Sequence, residues 1–393
     1  MYLTNKTASL AFVIFIYSSI FLPAIPLGSI SLELSQPLLY IFSFLFFFLF
    51  KFGLKREFIF VFWFFALQIL LVVGSGYFKS VLDEANNLIP DLWYSMYGRF
   101  DGNSFFKDEL RSFFQLIGIA EIFLVFFITC SISKRFDLRL FILKSVRFFL
   151  VINVFLSLFQ IFIMDEDRAY GATSNAQLLG VVVICSIIVI KAFSHSKLNY
   201  MFFVFLGMLL MVLSGTKSSL VTFLSVVFLL HINSYRLNVI SLISVFFVNF
   251  FISVIFAILF QEEILSLGRL IFSDMSTMQI RYLMWGSAFS YILSESPFFG
   301  AMGRVTEFPD NIFWYFLVSY GYVGLFVFIV FFYLLMKKRS PFIIVMLFSF
   351  FLQGISYYGF MVKPVSYLWW MSLAFIYSYT GNLSAEKGLK DVE

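Results

Sequence analysis

Three short stretches gather the side chains that could act on a charged substrate, and each joins a cation to turn-forming residues. The first is Asp165-Glu166-Asp167-Arg168-Ala169-Tyr170-Gly171, with Asn175 shortly after it. A planar guanidinium matches phosphate oxygens two at a time, which suits Arg168 to a phosphate ligand. The plainer reading is a solvated interfacial turn, with Arg168 held by lipid headgroups or by its acidic neighbours, and the residues alone favour it. Asp165 and Asp167 fit the two-carboxylate pattern that holds a divalent ion against a diphosphate. Acidic patterns this short recur by chance, and no metal is assigned.

The second stretch, Leu213-Ser214-Gly215-Thr216-Lys217-Ser218-Ser219, joins two apolar runs almost without a loop. Lys217 there either snorkels to the interface, the default, or makes a small-residue turn into a pocket for an anionic headgroup. The third begins at Ile280-Arg281-Tyr282-Leu283-Met284-Trp285, where Ile280, Leu283, Met284 and Ala288 fall at helical spacing in an amphipathic stretch. Glu295-Ser296-Pro297, Gly300-Ala301-Met302-Gly303-Arg304 and Glu307-Phe308-Pro309-Asp310-Asn311 follow, the last directly before an apolar run. A surface helix, a glycine turn and a helix N-terminus make a concave rim, and helix N-termini attract anions. Asp310 also has the setting of an N-cap. A capping carboxylate near arginines is a weak base, so Asp310 is expected to position an acceptor hydroxyl more than to take its proton early.

The elements that must hold these stretches are apolar. Of the 393 residues, 22% are aromatic and only 12% charged, too few polar groups to cover a soluble protein of this length. About twelve apolar segments are expected: Ala8–Leu27, Leu34–Phe50, Phe58–Val73, Phe113–Cys130, Phe148–Met164, Ala176–Ile190, Leu198–Leu213, Leu220–Ile232, Val239–Phe260, Ile312–Met336, Phe342–Phe360 and Tyr367–Tyr379. The fold class is thus all-α, a polytopic membrane protein forming one transmembrane domain over residues 1–393. The first segment follows Lys6 but lacks a small-residue cleavage site, so it reads as an uncleaved span. Among the spans Glu121 is the one clear buried carboxylate, with Asn153 and Gln160 as polar companions.

Sorting charges by alternate loops puts 17 Lys and Arg on one side and 10 on the other, while 16 of the 22 acidic residues fall with the smaller set. Short cationic loops stay cytoplasmic, so both termini are predicted inside. The net charge of +5 is then an orientation signal and implies no nucleic acid. Two long loops, 74–112 and 261–311, fall on the outer side together with Arg168, Lys217, Arg281 and Arg304. His195 and His231 lie on the inner side, and Cys130 and Cys185 sit within apolar runs, so neither a histidine zinc site outside nor a disulfide framework is expected.

In its order of motifs the chain resembles the O-antigen polymerase and O-antigen ligase superfamily of bacterial cell envelopes. The resemblance rests on Arg168-x-x-Gly171 with Asn175, on Ser214-Gly215-Thr216-Lys217, on Arg281-x-x-x-Trp285 with Pro297-x-x-Gly300-x-x-Gly303, and on Asp310-Asn311 with Gly321 and Gly324. The ligase branch usually has His-Asn where Asp310-Asn311 stands, which favours the polymerases. Lys217 replaces a commoner arginine, keeping charge but losing bidentate geometry.

The resemblance implies an inner-membrane glycosyltransferase with its active site facing the periplasm. Its substrates would be undecaprenyl-pyrophosphate-linked oligosaccharides, and its partners a chain-length-determining co-polymerase and a flippase. It implies no cofactor. Arg168 and Arg281 would stabilise the leaving pyrophosphate, with Lys217 and Arg304 in support. Asp310 would orient or deprotonate the attacking hydroxyl, Glu307 being the reserve, and Asn175 and Asn311 would bind substrate. A ligase that transfers glycan to lipid A core is the near alternative. A lipid-linked oligosaccharide flippase is the alternative of a different class, but it calls for two related halves and a charged central cavity, and the sequence has neither. A metal-dependent glycosyltransferase using Asp165 and Asp167 would lose activity in chelator.

Overall fold

The structure, a computed structural model, describes residues 2–21, 24–27, 30–49, 120–173, 175–194, 196–231, 312–337, 340–354 and 364–390, with isolated positions between them. The expected span Val239–Phe260, most of Phe58–Val73, the outer loop 74–112 and the outer loop 261–311 apart from Phe298 lie outside the described residues. What is described is almost entirely helical: α1 (Tyr2–Ser19), α2 (Ser35–Leu49), α3 (Ala120–Ser133), α4 (Arg139–Phe162), α5 (Ala176–Phe193), α6 (Lys197–Ser214), α7 (Lys217–His231), α8 (Ile312–Met336), α9 (Pro341–Gly354) and α10 (Val365–Lys390). By length and composition α4, α5 and α6 are long and apolar enough to cross a membrane, and several shorter helices are also apolar.

Several boundaries differ from expectation: α1 already starts at Tyr2, α10 runs on to Lys390, and two further differences have a clear physical cause. The first apolar run does not continue as helix to Leu27. Between α1 and α2 stands an antiparallel hairpin, β1 (Ala24–Leu27) on β2 (Ile30–Glu33), with Ala24 opposite Glu33 and Leu27 opposite Ile30. Pro23 and Pro26 explain the change, because proline removes a helical N–H and clashes with the preceding turn. α4 begins at Arg139, nine residues before the expected Phe148, so Arg139, Lys144 and Arg147 are helical and not in a loop. Hydropathy marks where a helix is buried, whereas helix itself runs on through residues of good propensity such as Arg, Leu and Lys.

α5 is the central element. It is buried without interruption from Leu178 to Ile190, and α4, α6, α7, α9 and α10 pack round it. A helix apolar on every face belongs in a protein core or a membrane span, and here five helices surround it. A close approach comes at Gly180, where a Cβ would fall 2.4 Å from Ser219 Cβ of α7. Beside it, Gln353 of α9 donates to Ser219 Oγ at 2.9 Å and to the Gln177 carbonyl at 3.4 Å, tying three helix ends together.

Another part of the same core is aromatic. Trp369 and Trp370 of α10 are fully buried, their rings 5.0 Å apart, and they face Phe350 of α9 and Phe331 of α8. At the far end Tyr379 accepts from the Leu138 N–H and donates to the Phe136 carbonyl, so α10 and the start of α4 are aligned there. α8 is broken at Gly321 (φ 64°, ψ −168°). The Val323 N–H near that break is taken by the carbonyl of Phe298, at 3.1 Å.

Candidate functional site

The chain between α4 and α5 carries Arg168, and its backbone is held by two amides of α4. Gln160 Oε1 accepts from the N–H groups of Tyr170 and Gly171, at 2.9 and 2.8 Å, while its Nε2 donates to the Gly171 carbonyl at 2.8 Å. One turn pair deeper, Asn153 Oδ1 accepts from the Ala172 N–H at 2.9 Å. Residues seven apart on a helix share a face, so Asn153 and Gln160 form one polar stripe beneath the loop. Asn153 and Gln160, the expected polar companions of Glu121 within the spans, are both buried and serve the Arg168 loop. Their spacing in an otherwise apolar span was the signal available in the sequence.

Gly171 has φ +57° and no room for a side chain, since a Cβ would lie 2.3 Å from Asn153 Oδ1. Beyond it Thr173 Oγ1 donates to the carbonyls of Tyr170 and Asn175, and Asn175 caps α5, its Oδ1 accepting from the Gln177 N–H at 2.7 Å. Asn175 therefore has a structural duty whatever it binds. Asp165 turns the chain out of α4 with φ 56°, a conformation that Asp tolerates better than most residues.

The loop then meets the second cationic stretch. The Ala169 N–H donates to the carbonyl of Leu213 at 3.0 Å, and the Arg168 stem lies 3.5–3.7 Å from where a Cβ on Gly215 would be. Gly215 ends α6 in the left-handed conformation, φ 61°, and Lys217 opens α7. Ser214 and Thr216 share a hydroxyl contact at 2.9 Å that tightens this turn. Arg168 and Lys217 are both exposed, whereas Ala169, Ser214 and Thr216 are buried. Charged tips thus project from a backbone whose anchors are inside. Arg168 makes no ion pair with Asp165, Glu166 or Asp167 among the described residues, so the reading in which its acidic neighbours hold it is not met. No three metal-ligating side chains converge among the described residues.

Arg281, Arg304, Glu307, Asp310 and Asn311 lie outside the described residues. The structure brings together Arg168, Gly171, Asn175, Gly215 and Lys217. It also accounts for Glu121, fully buried near the start of α3. Gln36 Nε2 and the Tyr40 hydroxyl, both of α2, donate to its Oε1, and the Tyr367 hydroxyl of α10 donates to Oε2 at 2.6 Å. A buried carboxylate needs such donors, and here they join three helices. Glu121→Leu should strand these donors and lower stability by about 2–4 kcal/mol, read as a fall in the thermal midpoint of the detergent-solubilised protein. An unchanged midpoint would mean that the network is dispensable.

A helical bundle with three membrane-length apolar helices and a cationic rim at one end is the class of protein that fold and site define. No family model matches the chain, and no curated protein matches it.

Proposed function

We propose that this chain is a surface-polysaccharide polymerase of a bacterial cytoplasmic membrane. It moves a glycan from undecaprenyl pyrophosphate to the non-reducing end of a new lipid-linked repeat unit. In this reading about twelve spans cross the bilayer, both termini are cytoplasmic, and the Arg168 end faces the periplasm. One observation carries the reading most: two turns that are distant in sequence, each with one exposed cation, are bonded to each other through Ala169 and Leu213. An exposed arginine against the turn that leads into an exposed lysine, on anchored backbone at a membrane surface, suits a diphosphate held by its lipid.

The chemistry follows from that placement. An acceptor hydroxyl oxygen bonds to the anomeric carbon as the bond from that carbon to the pyrophosphate oxygen breaks. Carrier pyrophosphate departs with the bonding pair, and the hydroxyl proton passes to a carboxylate or to water. The largest demand is charge on the leaving group, which cationic side chains meet without reorganising. Arg168 and Arg281 take that part, with Lys217 and Arg304 assisting. Asp310 orients the hydroxyl, Glu307 is its reserve, and Asn175 and Asn311 hold sugar hydroxyls.

Deletion of the gene tests the reading directly. A strain that keeps a single repeat unit on its lipid A core is the expected result. A core with no repeat would assign a ligase, and unaltered long chains would remove both assignments.

A further inference from the structure

We infer that the end of the bundle opposite Arg168 carries a binding site for an anionic phospholipid, formed where α4, α5 and α6 meet. Arg147 of α4 is the centre of it. Its Nη2 donates to Ser194 Oγ, which caps α5, at 3.1 Å. Asn199 of α6 lies against the same guanidinium. With its amide turned to present the oxygen, Oδ1 accepts from Nη1 at 3.1 Å and from Nη2 at 3.0 Å. The guanidinium carbon stands 5.6 Å over the ring of Phe203, and Lys191 of α5 stands 4.7 Å over the ring of Tyr200, one helical turn away. Lys144 and Lys197 lie exposed on α4 and α6.

The partners that Arg147 and Lys191 have among the described residues are neutral. No carboxylate pairs with Arg147 or Lys191 among the described residues, and the Arg147 Nε–H is buried without a partner among them. Arg139, at the start of the same helix, differs. Its Nε and Nη2 bind both oxygens of Asp137 at 2.7–3.1 Å, and they hold that carboxyl below its usual range. The Arg147 group is therefore oriented but not neutralised. An anion from outside the protein completes it.

The surface beside the cations says which anion. Phe202 and Phe205 of α6, further along that helix than Lys197, are 54% and 67% exposed, and Phe148 and Phe155 of α4, further along than Arg147, are each 68% exposed. Apolar faces running away from a cationic rim suit acyl chains below a phosphate headgroup, and a free phosphate would leave them unused. Basic pockets between helices at a membrane surface take headgroups of this kind. Only the bilayer placement is shared with the polymerase reading, so failure of one leaves the other standing.

Native mass spectrometry of the full chain in detergent, titrated with phosphatidylglycerol or phosphatidylcholine, tests the site. Wild type should retain the anionic lipid in preference to the zwitterionic one. Each neutralised cation near a membrane surface costs about five-fold in affinity, so R147Q/K191Q should lose roughly twenty-five-fold. K191Q alone, at a half-exposed position that places little strain on folding, should lose about five-fold. R139Q, whose cation already has its carboxylate, should bind as wild type does. Equal retention by wild type and the K191Q and R147Q/K191Q variants, or equal binding of the two lipids, overturns the proposal. Displacement of the lipid by inorganic phosphate at about 10 mM overturns it too, because the site would then take a free anion.

Discussion

Arg168→Ala should abolish long-chain polysaccharide and leave single-unit product, with the protein still folded and inserted. The expected loss of polymerising rate is about 10²–10³-fold, the range for removing one group that stabilises developing charge. The separation of function from folding follows from burial. Arg168 is exposed and makes no ion pair with the neighbouring acidic residues, whereas the loop is anchored by Ala169, Gly171 and Gln160. Truncation therefore removes the charge and little else. Arg168→Lys keeps charge but not the two-pronged geometry, and should recover part of the rate, to within about tenfold of wild type. Both are measured as chain-length distributions on a polyacrylamide gel, with membrane abundance as the control. Long chains in the alanine variant at normal abundance would end the assignment of Arg168.

The second large effect is expected at Gly171. Alanine there must adopt φ +57°, costing about 1–2 kcal/mol, and its Cβ would fall 2.3 Å from Asn153 Oδ1. Asn153 cannot withdraw without releasing the Ala172 N–H that it accepts from. The whole change should cost about 2–4 kcal/mol locally and shift Arg168 away from its neighbour Gly215. Displacement of about 1 Å at a reacting group lowers rates by around a hundred-fold. A double-mutant cycle isolates the cause. Asn153→Ala should be damaging by itself, yet combined with Gly171→Ala the losses should sum to clearly less than the two alone, because the clash has gone. Simple additivity would show that the Asn153 contact is not what fixes Gly171.

Much of this arrangement was visible in the residue pattern. The run expected at Leu198–Leu213 is the helix Lys197–Ser214, and Ile312–Met336 is matched at both ends, because polar residues bound these runs closely. The strand at Ala24–Leu27 was hidden, since Ala, Ile and Leu around two prolines keep high hydropathy whether or not they are helical. Arg147 was counted as an orienting charge in a loop, and only tertiary packing shows it in a helix facing Ser194 and Phe203. The adjacency of Arg168 and Gly215 was legible only as two separate cationic turns on one side. Backbone pairing between Ala169 and Leu213 leaves no mark in side-chain identity, which is why it had to be seen.

The bond from the Val323 N–H to the Phe298 carbonyl has a mechanical meaning. The bond is made where the helical ladder is interrupted, so detaching Phe298 would leave the Val323 N–H open unless α8 straightened at Gly321. Whatever holds Phe298 thus also favours the bend of α8, the helix whose Phe331 ring packs on Trp370 in the aromatic core.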